Sequence, residues 1–582
     1  MRKPLSQRQL DALLQQALAL QQNGAWTEAA EIYREILAVR PQHFDALQLL
    51  GTLALQTGHL DEGIALLQTA LSINGKQAAI HSNLAFALNA RSRHREALGR
   101  ANQALALMPN FVDALTNRGM ALGALDMPAE ALESLDRALA LKPEMPEAWN
   151  NRSCVLRDLG RPEEAVTNCD RALALRPDYA EAWSNRGNAL SDLNRPAEAE
   201  ESYRKAIAAA PGLADAWSNL GLALIDMNRH ADALASYDQA LALQPDHVEG
   251  HWNRALCLLQ MGRLEEGWHE YEWRWKRRRN AAEARSFEAP LWLGDAPLDG
   301  KVILLHAEQG LGDTLQFCRY ASMLARRGAQ VVLEVQPELV RLLAPLEGVA
   351  RIVAQGEPLP PFDLHCPLLS LPLAFETDVA SIPGATPYLF ADSQAVRHWE
   401  AKVSQAAGSP ALKVGLVWAG GDRSHVPELR KNDRRRSIAL EQMLPLFDVP
   451  GIRFFSLQKG APAQQLAALR ERREGNRPGA EIDDIVDFTG ELADFADTAA
   501  LVSNLDLVIS VDTSTAHLAG AMGKPVWILN RFDTCWRWML ERSDTPWYPG
   551  ARLFRQPALG DWGSVLAAVR EALTARVATI PS

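Results

Sequence analysis

Six asparagines recur at one interval: Asn83, Asn117, Asn151, Asn185, Asn219 and Asn253 each stand 34 residues after the last. A side-chain amide both donates and accepts, so a column of them can hold the backbone of an extended peptide whatever its side chains. Carboxylates recur four residues earlier, at Asp113, Glu147, Glu181, Asp215 and Glu249, with Asp45 on the same grid. Columns copied with a repeat and merely facing solvent would read the same way.

A second set of chemistry-bearing residues lies further along the chain. In "KVILLHAEQGLGDTLQF" a strand runs into Gly310, Gly312 and Asp313 at the start of a helix. Glycines there permit a tight turn and close approach of a ligand to the helix N-terminus. Asp313, just inside the helix start, has the place of a cap or of a first-turn acid favoured by the helix dipole. In "DLVISVDTSTAHLAGAMGKPVWIL" a strand ends at Val511, and Asp512, Thr513, Ser514 and Thr515 open the next helix with His517 one turn in. Hydroxyls and free N–H groups at a helix start suit a diphosphate, and an N-capped helix with a hydrogen-bonded histidine has the same pattern. The run "NDRRRS" supplies Asn432, Asp433, Arg434, Arg436 and Ser437, and "FFSLQKG" supplies Lys459. These cations could meet a phosphate or an acidic sugar, or form a solvated basic loop. The segment "CWRWMLERSDTPWYPG" carries Trp536, Trp538, Trp547 and Tyr548, aromatics for stacking on a sugar or for a core.

The elements that must position these residues fall into two halves. Over residues 10–281 the 34-residue grid organises everything, in about eight units. Prolines stand at 41, 109, 143, 177, 211 and 245, with Gly75 at the missing step. Trp149, Trp183 and Trp217 follow six residues later, Gly51, Gly119, Gly187 and Gly221 four beyond that slot, and Tyr33, Tyr203, Tyr237 and Tyr271 hold an aromatic position. Small residues let antiparallel helices approach, proline ends the second helix, and aromatics are expected to fill the gap between pairs. The last unit is degenerate, with Arg279 in the proline slot. The array is an α-solenoid of helix pairs. Beyond it, short β-branched runs alternate with helical stretches in two blocks, 301–391 and 411–575, the pattern of parallel sheets with crossover helices. Two such sheets place a ligand cleft at the carboxyl ends of their strands.

The 582 residues carry a formal net charge of −11, which argues against a general nucleic-acid binder. The six cysteines form no C-x-x-C pair, and no aspartate pair of the D-x-D type follows a strand, so neither a structural zinc site nor a divalent metal on a diphosphate is expected. There is no phosphate-binding G-x-x-x-x-G-K-[ST] and no G-x-G-x-x-G. No apolar run is long enough for a membrane span, the basic start lacks an apolar stretch behind it, and a cytoplasmic protein without a cofactor is expected.

The first half resembles the tetratricopeptide repeat closely, and its asparagine column resembles that of protein O-GlcNAc transferases, where it holds the acceptor polypeptide. "GLGDTLQF" with "VDTSTAHLAGAMGKPVWIL" resembles the bacterial heptosyltransferase family of GT-B glycosyltransferases. That resemblance implies two Rossmann-like halves, a general base at Asp313, and donor phosphates held by Asp512, Thr513, Ser514 and His517. The N-D-R-x-R-S run is similar to a subgroup in which tetratricopeptide repeats precede such a domain. The first block is shorter than a full acceptor domain of that family, which fits either an acceptor presented by the repeats or a degraded site. The layout also resembles bacterial flagellin glycosyltransferases. Together these imply an inverting, metal-independent transfer from a nucleotide-sugar to a Ser or Thr hydroxyl of a bound polypeptide. The rival readings are a repeat scaffold with an idle transferase module, and a transferase acting on a glycan or lipid-linked sugar.

Overall fold

The computed structural model describes residues 6–277, 285–408, 412–421, 427–473 and 485–579. The expected end of the array at Arg279 lies outside the described residues. Sixteen α-helices between Gln7 and Tyr271 pair into eight hairpins, and among the described residues ten strands follow. The chain divides into two compact units, Met1–Gly212 and Leu213–Ser582.

The first unit is six hairpins. Alanine-rich sequences favour helix, and Pro128, Pro162 and Pro196 each open a second helix, where the missing N–H costs nothing. Within a hairpin the chain reverses through one left-handed residue: Gly24, Gly58, Ser92, Asp126, Gly160 and Asn194, again 34 residues apart. Glycine, asparagine and aspartate tolerate that conformation best. The tryptophan slot has a defined task. Trp149 and Trp183 donate their indole N–H to the carbonyls of Pro143 and Pro177 at 2.8 and 2.9 Å, and His81 meets the Gly75 carbonyl at 2.9 Å. Each ring thus secures the chain between one hairpin and the next.

The aromatic slot packs differently from the expectation. Tyr203 lies against Gly187 of its own hairpin, where a Cβ would meet the ring at 2.5 Å, and Leu135 takes the same place against Gly119. In these hairpins the glycine and its large neighbour close the pair internally, because the two helices cross where only one bulky side chain fits.

The second unit contains the hairpins Ala214–Leu243 and Val248–Tyr271 and two wholly parallel sheets. The first sheet, ordered β3-β2-β1-β4, is built of β1 (Val302–His306), β2 (Gln330–Val335), β3 (Val349–Ala354) and β4 (Leu364–Pro367). The second, ordered β10-β9-β8-β5-β6-β7, comprises β5 (Leu412–Val417), β6 (Ile452–Ser456), β7 (Val486–Asp487), β8 (Leu507–Val511), β9 (Val526–Asn530) and β10 (Ala551–Arg555). β8 and β9 are buried along their whole length, as strands covered on both faces must be. Strand order reverses between β1 and β4 in one sheet and between β8 and β5 in the other. In open parallel sheets ligands bind outside the carboxyl ends of strands at such switch points. The loops that leave β1, β5 and β8 are therefore the ones to inspect.

Candidate functional site

The loop after β1 leads through Gly310 into the helix Leu311–Phe317. Asp313 Oδ2 accepts from the Gly310 N–H at 2.8 Å and so folds the turn back on itself. Its other oxygen is ion-paired with Arg537, a guanidinium that also donates to Gln316 Oε1 at 2.6 Å and lies 4.2 Å over Trp536. Burial alone would weaken the charge on Arg537, but its neighbours, Asp313 foremost, together more than restore it. Upstream in the same loop, Glu308 is gripped by Arg274, which is fully buried at the end of the last hairpin; the pair is joined at 2.8 and 3.0 Å, and Arg274 also donates to Ser370 at 2.7 Å. The glycine turn is thus fixed from both ends by buried arginines.

The loop after β8 brings Asp512 and Thr513 to the start of the helix Ser514–Ala521. Thr513 caps it in extended conformation, with its hydroxyl 2.9 Å from Ser510 Oγ. Ser514 is half-buried and Thr515 is buried in the first turn. His517 is buried, bonds Tyr548 Oη through Nδ1 at 2.9 Å, and stacks on Trp538. Its Nε2 stands 4.0 Å from Asp512 Oδ1. Burial, with Arg537 nearby, pushes its pKa down to about 3 against the opposing pull of Asp512, so the imidazole is neutral. Burial likewise raises Tyr548 to about 12 and keeps its hydroxyl protonated.

The loop after β5 runs through Trp418, Ala419, Gly420 and Gly421. Gln458, buried just past β6, accepts from the Trp418 and Ala419 N–H groups at 3.1 and 2.8 Å. The Gly420 N–H donates to Ser437 Oγ at 3.3 Å. Arg436 lies directly on Gly420, where any Cβ would collide with its guanidinium. The same guanidinium donates to the Asp512 carbonyl at 3.2 Å and pairs with Asp433 at 2.7 Å.

Gly310, Gly312, Asp313, Asp512, Thr513, Ser514, Thr515 and His517 therefore lie on the loops and following helices after β1 and β8, and Arg436 and Ser437 pack against the loop after β5. Gly312 and His517 touch across them. Arg434 is exposed on the helix Pro427–Arg436. Lys459 is exposed, and its ammonium is spent on the Leu492 carbonyl instead. The aromatics Trp536, Trp538, Trp547 and Tyr548 are all core. Arg537, Arg274, Gln458 and Gly420 escaped sequence reasoning. An arginine between two tryptophans, as in "WRW", is the one available signal, since a charge in so apolar a run needs a buried partner.

The asparagines are not an open row. Asn83, Asn117, Asn151, Asn185 and Asn219 are half-buried and Asn253 is buried. Asn117 donates to the Ser82 carbonyl at 3.1 Å, Asn185 to Asn150 Oδ1 at 2.9 Å, and Asn253 to Ser218 Oγ at 3.2 Å. In each case the partner lies 35 residues back, so the amide nitrogen ties a helix to the equivalent helix of the preceding repeat.

Residues 116–178, 150–214 and 218–283 match the tetratricopeptide repeat family, as do residues 20–85 through a second profile of that family. These stretches of the chain are tetratricopeptide repeats. Over 330 residues the chain is 28% identical to a Caulobacter vibrioides protein named FlbA, covering 53% of this chain and 52% of that one. The chain thus spans about half the length of the curated relative it matches. Solved structures similar to it include a tetratricopeptide repeat protein of Parabacteroides merdae, at 18% identity over 43% of this chain and 98% of that one, with a TM-score of 0.37. A thermophilic repeat protein of Thermus thermophilus is 25% identical over 31% of this chain and all of that one, with a TM-score of 0.30.

Proposed function

We propose that the protein is a glycosyltransferase of GT-B type, moving a sugar from a nucleotide-sugar to a polypeptide held by its tetratricopeptide repeats. The observation that carries this reading is the convergence of the loops after β1, β5 and β8 at the two switch points, with polar groups suited to a phosphorylated ligand on each. The first turn of Ser514–Ala521 offers N–H groups and hydroxyls to the donor diphosphate, and Arg436 adds positive charge beside it. His517, neutral and fixed by Tyr548, contributes a hydrogen bond rather than a charge.

In the reaction, the acceptor hydroxyl oxygen attacks the anomeric carbon as the bond from that carbon to the phosphate oxygen breaks. The nucleotide leaves with the bonding electrons and the configuration inverts. Asp313 takes the hydroxyl proton. Its Oδ2 now holds the Gly310 N–H, so the acceptor hydroxyl has to displace or share that contact. General-base help of this kind is worth roughly 10²–10⁴ in rate. On the repeats, tetratricopeptide arrays bind proteins. The Asn117, Asn185 and Asn253 nitrogens are occupied by neighbouring repeats, which leaves the amide oxygens to accept from a peptide backbone.

A second reading, an idle transferase module on a repeat scaffold, draws on one specific observation: both Asp313 oxygens are already engaged by Gly310 and Arg537. One experiment separates the two. UDP-, GDP-, ADP- and CMP-sugars are tested by thermal shift and by nucleotide release with bacterial lysate as the acceptor source, on the wild type, Asp313→Ala and His517→Ala. Transfer predicts a stabilising donor, binding lost in His517→Ala, and release lost in Asp313→Ala. Absence of stabilisation and release with every donor sinks the transferase reading.

A further inference from the structure

Asp226 closes the first helix of the hairpin Ala214–Leu243. Its slot recurs on the repeat grid as Asp158, Asp192, Asp226 and Gln260. The Asp158 and Asp192 side chains are 56% and 45% exposed, whereas that of Asp226 is 9% exposed. Lys431 covers it at 2.5 Å, and Arg435 reaches both carboxylate oxygens at 2.6 and 3.2 Å. Arg435 also donates to Asp533 at 2.8 Å, in the loop after β9, and that carboxylate is buried too. One repeat further on, Gln260 uses the same slot to donate to the Thr534 carbonyl at 2.6 Å. Two successive repeats therefore hold two neighbouring segments of the second sheet's ligand face.

The consequence lies one residue away. Arg435 adjoins Arg436, whose guanidinium donates to the Asp512 carbonyl over Gly420. A buried arginine bracketed by two buried carboxylates is held between them, with Lys431 and Arg531 completing the charge cluster at Asp226 and Asp533, because breaking either contact gives up a desolvated ion pair. We propose that Asp226 and Gln260 are positioning residues: the last two repeats lock the helix Pro427–Arg436 and the loop 530–534, and so set Arg436 at the mouth of the phosphate site. The phosphate half of this inference rests on the transferase reading; the locking half does not.

The test uses the full chain with Asp226→Asn, Asp226→Glu, Gln260→Ala and, as a control on the same slot, Asp192→Asn. Amide hydrogen exchange is read over 431–437 and 531–535, and inorganic pyrophosphate binding by calorimetry. Asp226→Asn should speed exchange at 431–437 at least tenfold and weaken pyrophosphate about tenfold, with partial rescue in Asp226→Glu and no change in Asp192→Asn. Gln260→Ala, which disturbs no charge, should loosen 531–535 and decides the matter if Asp226→Asn fails to fold. Wild-type exchange in both segments for Asp226→Asn and Gln260→Ala overturns the proposal. Loosened exchange in a protein whose wild type ignores pyrophosphate upholds the locking and counts against the phosphate site.

Discussion

A Cβ on Gly312 would stand 2.8 Å from His517 Cδ2 and 3.4 Å from the Ser514 Cα. The glycine loop of one sheet and the hydroxyl-rich helix of the other are thus in van der Waals contact through a hydrogen atom. Gly312→Ala has to push the helix Leu311–Phe317 off the helix Ser514–Ala521, and overpacking of this kind costs about 1–3 kcal/mol. Gly310→Ala meets only the tip of the Asp313 carboxylate, at 3.2 Å, and has no unusual backbone angle to satisfy. Urea denaturation should therefore rank Gly312→Ala well below Gly310→Ala, and nucleotide-sugar binding should follow the same order. Equal stability of the two would mean that the contact gives way freely.

Two buried histidines make stability depend on pH. His517 and His306 are each held down to about 3, by burial first and then by Arg537 for one and His365 for the other. The unfolded chain takes up a proton at each near pH 6.5, while the folded chain takes up none until near 3. Their contribution is therefore complete above about pH 6.5 and is lost as pH falls, at up to about 1.4 kcal/mol per pH unit for each. Between pH 6.5 and 5, above the ordinary carboxylate range, unfolding free energies should slope accordingly, with the buried and raised Glu308 carboxyl acting in the opposite direction. His230 and His365, also lowered by burial, add to the same slope, and His517→Gln should remove one proton equivalent from it. A variant with the wild-type slope would show that His517 is charged in the fold.

The grid of the repeats was legible because one supersecondary unit, copied, repeats its contacts. Proline, tryptophan and alanine mark the same places in each copy, and eight hairpins follow. A further column was there to be read: the left-handed turn residue Gly58, Ser92, Asp126, Gly160, Asn194, Asn228 and Gly262, whose changing identity hides a constant backbone angle. The loops after β1 and β8 were legible because glycines and hydroxyls cluster at strand ends. Arg537 and Arg274 were not, since each earns its place from a carboxylate distant in sequence, at Asp313 and Glu308. Nor was Lys459 distinguishable from Arg436 before the fold showed one turned to Leu492 and the other to Asp512.

The ion pair between Asp313 and Arg537 predicts an asymmetry in mutants. Arg537 is buried against Trp536 and Gln316, so replacing its partner leaves a charge with little else to neutralise it. Removing one member of a buried pair costs about 3–5 kcal/mol, while replacing both with groups of similar volume costs far less. Asp313→Asn and Arg537→Met should each lower stability by an amount in that range, and the double variant should recover much of it. Chemical denaturation of the four proteins measures the coupling directly. Additive losses would mean that solvent screens the pair.

The asparagine column allows a grip and a staple to be told apart. Asn117 ties its helix to Ser82 through two contacts, at 3.1 and 3.3 Å, whereas Asn151 makes no side-chain hydrogen bond to any described residue. Asn117→Ala should cost about 1 kcal/mol of stability, the net worth of such a bond. Asn151→Ala should cost nothing measurable. If the column grips an acceptor, both variants raise the acceptor KM by a similar factor while kcat holds, because a sequence-tolerant ladder loses one rung in either case. If the amides only staple repeats, Asn117→Ala lowers the melting temperature and neither variant moves KM. Melting curves beside initial rates at saturating donor decide between them, and Asn151 is the residue on which the two roles part.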